Sequence, residues 1–375
     1  MRALILAFAL LLLVPATASA ADLVIEGRGW GHGVGLSQWG AYGFALREGR
    51  DHRSILGHYY TGSSLGTAPA VRMRVRLKSA RAPKLSGATR ARAANRRRIR
   101  LREDRSYRFE ALSTDRIRVI DGSTGRTRAR LLAPVNVTGG SSTTLHGAAE
   151  NGVRSGAYRG RMVLSRDGSG VLAVNHVSLE HYLYGVVPAE MPADWAAEAL
   201  KAQAVVARSY ALTSRRPVAP YDVFADVRSQ VYRGALGEAD ATTAAVRATR
   251  ARVVTVGGQV AQTFFFSTSG GQTASNEEGF GGSPLSYLRS VDDPHDDLSP
   301  VHTWTARFSP REAERKLGSL LSGNLESLRV LSRTASGRAA TVEVRGSGGN
   351  RVVSAAAVRT ALGLRSTWIT DISGP

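Results

Sequence analysis

The chain has 375 residues, a formal net charge of +20 from 50 Lys and Arg against 30 Asp and Glu, and no cysteine. Without a thiol there is no disulfide, no thiolate metal ligand and no cysteine nucleophile, so stability rests on packing. The basic balance implies association with polyanions, unless it only reflects an Arg- and Ala-rich composition. The basic runs lack the interleaved aromatics that a nucleic-acid stacking platform needs.

Residues 1–20 read as a secretory signal peptide: Arg2 precedes an apolar run from Leu4 to Val14, and Ala18-Ser19-Ala20 supplies a cleavage site. That run is about half a membrane span, and no later stretch is long and apolar enough to cross a bilayer. An exported, soluble mature protein is expected. The next stretch, I-E-G-R-G-W-G-H-G-V-G-L-S-Q-W-G-A, alternates glycine with Arg28, Trp30, His32 and Val34. Such alternation strips one face of side chains and permits close approach of another backbone or a flat ligand. It is neither a dinucleotide fingerprint nor a nucleophile elbow around Ser37. Taken alone, His32 reads as a loop histidine in a structural niche. Two short helices follow, one from Gln38 and one over 53–62.

Residues 71–77 alternate strictly and predict a strand with one wet face. Residues 80–102 cluster Arg and Ala and read as a loop or a weakly ordered basic hairpin. Further alternation at 116–120 and 128–132 completes a small β lobe. A hairpin then turns at Asp167-Gly168 and runs into an apolar, β-prone stretch at 182–187. His176 and His181 fall on opposite faces of that strand, which excludes them as a metal pair.

Pro188 ends the run, and Glu190 lies between Pro188 and Pro192 on what should be a stiff loop outside the sheet. Asp194 is the expected N-cap of a long alanine-rich helix carrying Lys201 and Arg208 on one face. By spacing alone this is a strand, a proline-rich turn and an amphipathic helix with solvated charges. A helix at 238–250, a strand at 253–256 and a buried strand from Phe264 into a Ser/Gly turn come next. Asp292, Asp293, His295, Asp296 and Asp297 have metal-ligating chemistry, but an acidic proline-containing turn is the commoner explanation. Residues 301–375 read as an α+β lobe, with helices at 310–321 and 355–361, the latter capped by Ser354.

Residue identities add more than spacing. Y-L-Y-G-V-V-P-A-E-M-P followed by E-A-L-K-A-Q-A-V-V-A-R-S-Y-A-L resembles the signature block of the SpoIID/LytB family of bacterial cell-wall proteins. S-Q-V-Y-R-G, S-T-S-G-G and Y-L-R-S-V-D-D-P-H-D are similar to further family blocks. The G-R-G-W-G-H-G-V-G block normally stands at the C-terminal end and here comes first, so the chain resembles a circular permutant. Residues 23–65 should then pack beside 360–373, near Glu190.

The resemblance implies a SpoIID-like, multi-lobed α+β core with a small β-rich insertion. Its parts would be a signal peptide (1–20), the permuted segment (21–65), a basic accessory region (66–157), the catalytic core (158–300) and a C-terminal lobe (301–375). It implies an exported, cell-wall-associated lytic transglycosylase acting on peptidoglycan, with Glu190 catalytic. Lys201, Arg208, His32, Gln38, Gln230, Tyr232, Ser267 and Ser269 would be substrate contacts. The second reading is a non-catalytic enhancer of a cell-wall amidase. Family metal sites use a cysteine, so no metal and no cofactor are expected. The expected partners are glycan strands, anionic wall polymers and an amidase, not nucleic acid. Val227, His181 and Gln272 depart from the family pattern where Thr, Asp and Arg are common.

Overall fold

A computed structural model describes residues 21–112 and 114–374. The expected signal peptide, 1–20, lies outside them. The helices are α1 (Gln38–Arg47), α2 (His52–Tyr59), α3 (Leu179–Glu190), α4 (Ala197–Thr213), α5 (Asp240–Ala248), α6 (Asn276–Phe280), α7 (Pro310–Leu317) and α8 (Ala355–Leu362). Mixed with several sheets, they make an α+β fold. Among the described residues no helix is long and apolar enough to cross a membrane.

The residues form two compact units, one of the chain up to Gly27 with Trp304 onward, the other Arg28–Thr303. In the first, strand Leu23–Arg28 lies between Thr303–Phe308 and Ile369–Ser373. Ile25 faces Ile372 and Gly27 faces Ile369 in an antiparallel ladder. Leu23 and Ile25 are fully buried with Val342, Val344 and Val358. Ser354 caps α8 by accepting from the Ala357 amide, as its position at the start of an apolar-periodic run predicts.

The larger unit is built on an eleven-stranded sheet. Strand Arg72–Ala80 buries Met73, Val75 and Leu77 on alternate positions, the half-wet strand that the sequence pattern predicts. The basic stretch expected to be loose is ordered as strands Lys84–Arg92 and Arg98–Arg100, which pair with each other. Residues 66–157 are β-rich and share the large sheet. Their strand Val135–Ala148 pairs with both Lys84–Arg92 and Arg161–Asp167, so one continuous sheet joins them to the hairpin that leads into α3.

The largest correction is at 182–187, which is helix and not strand. Ser178 caps α3 through the His181 amide, and Tyr182, Leu183, Val186 and Val187 are all buried. A helix that is apolar on nearly every side needs burial on nearly every side, and tertiary packing here overrides local β propensity. Gly185 permits this: a Cβ there would lie 2.8 Å from the Gly234 carbonyl oxygen and 2.9 Å from the Tyr232 ring. Pro188 sits inside the helix. On α4 the expected cap fails: Asp194 lies outside it, and Ala196 occupies the cap position without a side-chain bond.

Candidate functional site

Glu190 is the last residue of α3, not the tip of a loop between prolines. The turn beyond it closes when the Met191 amide donates to the Val187 carbonyl, 3.0 Å away. The Glu190 side chain is half-buried in a cavity of about 350 Å³ lined by His32, Tyr210, Val227, Ser229, Val231, Phe264, Phe265 and Phe280. It is the only carboxylate among those lining residues. Burial pushes its pKa from 4.5 up to about 7, against the pull of the Val231 amide, the Gln38 side chain and the charge of Arg233.

The glycine-rich block supplies His32 and Gln38. Gly29, Gly31, Gly33 and Gly35 all have positive φ, which lets this segment lie against residues 264–269. Nε2 of His32 lies 3.0 Å from the Phe265 carbonyl and Nδ1 accepts from the Val34 amide, 3.1 Å away. With Nδ1 accepting, Nε2 is the nitrogen that donates to the Phe265 carbonyl, and the ring packs 4.9 Å from the Phe280 ring. Phe280 and Val227 are exposed at 50% and 86%, apolar surface beside the cavity. Gln38, capped into α1 by Ser37, also contacts Gln203 of α4 at 3.5 Å.

The S-Q-V-Y segment divides by the two-residue period of extended chain. Ser229 and Val231 line the cavity. Gln230 and Tyr232, read from sequence as glycan contacts, are buried at 1% exposure on the other side. Gln230 accepts from the Tyr182 hydroxyl, and the Tyr232 hydroxyl donates to Asn175. Burial raises the Tyr232 hydroxyl far above its ordinary pKa. These two residues fasten the segment beneath α3, with the Val231 amide on Glu190.

The two helix cations are elsewhere. Arg208 is fully buried and grips both oxygens of Glu180 at 3.0 and 2.8 Å. It also donates to the Ala204, Val246 and Arg252 carbonyls. It lines a different cavity, with Glu180, His181, Tyr184 and Arg247. Lys201 pairs with Glu198 at 2.5 Å. Burial opposes ionisation of Glu198, yet hydrogen bonds from Lys201 and His52 hold it down to about 2. Neither cation lines the Glu190 cavity. The face of α4 that matters carries Gln203 and Tyr210, one heptad apart, and sequence reasoning passed over it because its side chains are uncharged.

Ser269 is buried and donates to Asp296 at 2.9 Å, while the half-buried Ser267 contacts Thr268 at 3.1 Å. The acidic turn scatters its side chains: Asp293 accepts from Tyr59, Asp296 meets His302, and Asp297 pairs with Arg47. Burial and the neighbouring Asp296 raise Asp293 to about 6. The turn docks α1 and α2, and among the described residues no cluster of three or more His, Asp or Glu is arranged to hold a metal.

Residues 167–256, which carry Glu190 and helices α3 to α5, match the family model described as Stage II sporulation protein. The chain is 34% identical over 211 residues to Stage II sporulation protein D of Bacillus subtilis (strain 168), covering 52% of this chain and 60% of that protein. The protein of the same name from Bacillus amyloliquefaciens is 33% identical with the same coverage. The amidase enhancer of Bacillus subtilis (strain 168) is 36% identical over 134 residues, 36% of this chain and 18% of that one. The chain thus spans about 60% of the length of the sporulation proteins that it matches. The segment that carries Glu190 is thus similar to the SpoIID/LytB family, in both its sporulation and its amidase-enhancer members.

Proposed function

We propose that the protein acts outside the cytoplasm on the bacterial cell wall, as a lytic transglycosylase that cleaves the β-1,4 bond between N-acetylmuramic acid and N-acetylglucosamine. The observation that carries this is the single half-buried carboxyl of Glu190, with its pKa pushed up to about 7, in an aromatic-lined cavity. At neutral pH its acid form protonates the leaving glycosidic oxygen as the C1–O bond breaks. The resulting carboxylate then takes the proton of the C6 hydroxyl as that oxygen bonds to C1, leaving a 1,6-anhydro end. One carboxyl serves both steps, so the paired carboxylates of hydrolytic glycosidases are not required. The Val231 amide and Gln38 orient the group, and the exposed Phe280 ring suits the apolar face of a sugar.

Digestion of purified glycan strands by the full chain and by Glu190→Gln tests this. Unreduced products are weighed, an anhydro end being lighter than a hydrolysed end by one water. Anhydro ends from the unmodified protein, with at least a ~100-fold loss in the variant, are expected. Hydrolysed ends would overturn the transglycosylase. The similarity to the amidase enhancer favours a second reading, in which the cavity binds glycan for a partner amidase. Binding without cleavage by both proteins, with stimulation of an added amidase, would establish that one instead.

A further inference from the structure

The basic hairpin at 84–100 carries a surface that glycan cleavage does not use. Four arginines, Arg90, Arg92, Arg98 and Arg161, line a groove of about 430 Å³ with Ala93, Ala94, Asn136 and Thr138, and no carboxylate lines it. Strand pairing sets Arg90 opposite Arg100 and Arg92 opposite Arg98. Like charges directly opposite in an antiparallel pair are destabilising, so this arrangement carries a cost that a bound anion would offset. The row continues across the sheet, with Thr138 paired to both Arg90 and Arg161, then Arg161 to His176, and His176 to Arg74. Arg74 already pairs with Asp222 at 2.7 Å, so the row open to a ligand runs over the other five strands, about 19 Å at their usual spacing.

The side chains register this crowding. Burial, then Arg72 and Arg92, lower the pKa of Arg161. Burial, then Arg161 and Arg74, lower that of His176 to about 4. A second groove, lined by Arg97, Arg116, Arg128 and Arg130, again contains no acid. Arg97 and its neighbour Arg98 therefore face two cationic grooves at one hairpin.

We propose that this arginine track binds a linear phosphodiester polymer of the cell wall. Guanidinium groups match phosphate oxygens in pairs, and Asn136 and Thr138 add neutral hydrogen-bonding groups between them. The length of the track calls for a chain-like ligand, not a single ion. No aromatic side chain lines the groove, so bases would have nothing to stack on. Its only apolar lining is Ala93 and Ala94, too little to enter a bilayer. The choice of a wall polymer over other polyanions rests on the cell-wall reading above, but the binding itself needs no Glu190.

The test is titration of the full-length protein with poly(glycerol phosphate), read by fluorescence anisotropy at two salt concentrations. The variants are R90E/R92E/R161E, and R307E/R311E/R315E as a control with the same change in net charge. Saturable binding is expected, at least ~10-fold weaker in the first variant and within ~2-fold in the control, with the salt slope reduced by roughly 2. Circular dichroism checks folding, and R90Q/R92Q/R161Q replaces the reversal variant if it does not fold. Equal weakening in the control would reduce the effect to net charge and overturn the site. Tighter binding of an oligothymidylate of equal charge, or of anionic vesicles, lost in the same variant, would overturn the wall polymer. Absence of saturable binding would overturn both. Glycan cleavage is scored separately, so either proposal can fail while the other stands.

Discussion

At Glu190, burial outweighs the Val231 amide, the Gln38 side chain and the charge of Arg233, and leaves the acid form populated at neutral pH. Two consequences follow from a pKa raised from 4.5 to about 7. Cleavage that needs the acid form should fall as pH rises through about 7, a limb that a pH–rate profile would show and that Glu190→Gln would lack. The folded state also holds a proton that the unfolded chain has released between pH 4.5 and 7, so this group makes stability fall with rising pH across that window. Glu190→Gln should therefore match the unmodified protein below pH 4.5 and exceed it by about 1–3 kcal/mol at pH 8, read by urea denaturation. Arg208 predicts the opposite kind of result. Arg208→Ala strands a carboxylate and three carbonyls, and should cost about 3–5 kcal/mol. Any loss of glycan binding should follow the loss of folded protein, since Arg208 lies in another cavity. Binding lost at full stability would restore the role that its position in the family block suggested.

Helix α3 shows how an element can place a residue that its own sequence does not announce. Tyr182 to Val187 is β-prone, and Pro188 reads as a stop, yet cap, burial and the gap at Gly185 make one helix that ends on Glu190. Gly185→Ala tests the packing. In a free helix interior the change would stabilise by about 1 kcal/mol, but here the new methyl meets the Gly234 carbonyl and the Tyr232 ring. A net loss of about 1–3 kcal/mol in thermal or urea unfolding is expected. A gain would mean that the Tyr232 segment yields easily and does not hold the Val231 amide rigidly.

Across the whole molecule, the Glu190 cavity is lined entirely by residues of the Arg28–Thr303 unit. The other unit closes its sheet with Ile369–Ser373 against Leu23–Gly27. Deleting residues 369–375 should uncover Leu23 and Ile25, and hydrogen exchange should show amide protection lost around them. Protection in α3 and α4 should remain. Loss of α3 protection in the same deletion would show that the large unit does not fold without its neighbour.

The sequence by itself determined the family resemblance, the half-wet strands such as Arg72–Ala80, most of the helices, and the residue worth watching, Glu190. Those features depend on local period, capping chemistry and a long run of shared identities, all of which survive in one dimension. Tertiary structure alone decided that 182–187 is helical, because its burial comes from neighbours distant in the chain. It alone decided that Arg208 is a buried tie while Gln203 and Tyr210 face the Gln38 and Glu190 side, since a helical period groups residues into faces without saying which face meets which cavity. It likewise separated Ser229 and Val231 from Gln230 and Tyr232. Alternation was legible there, but only the position of α3 determines which set is covered. The arginine track has the same origin: the sequence holds the charges, and strand register aligns them.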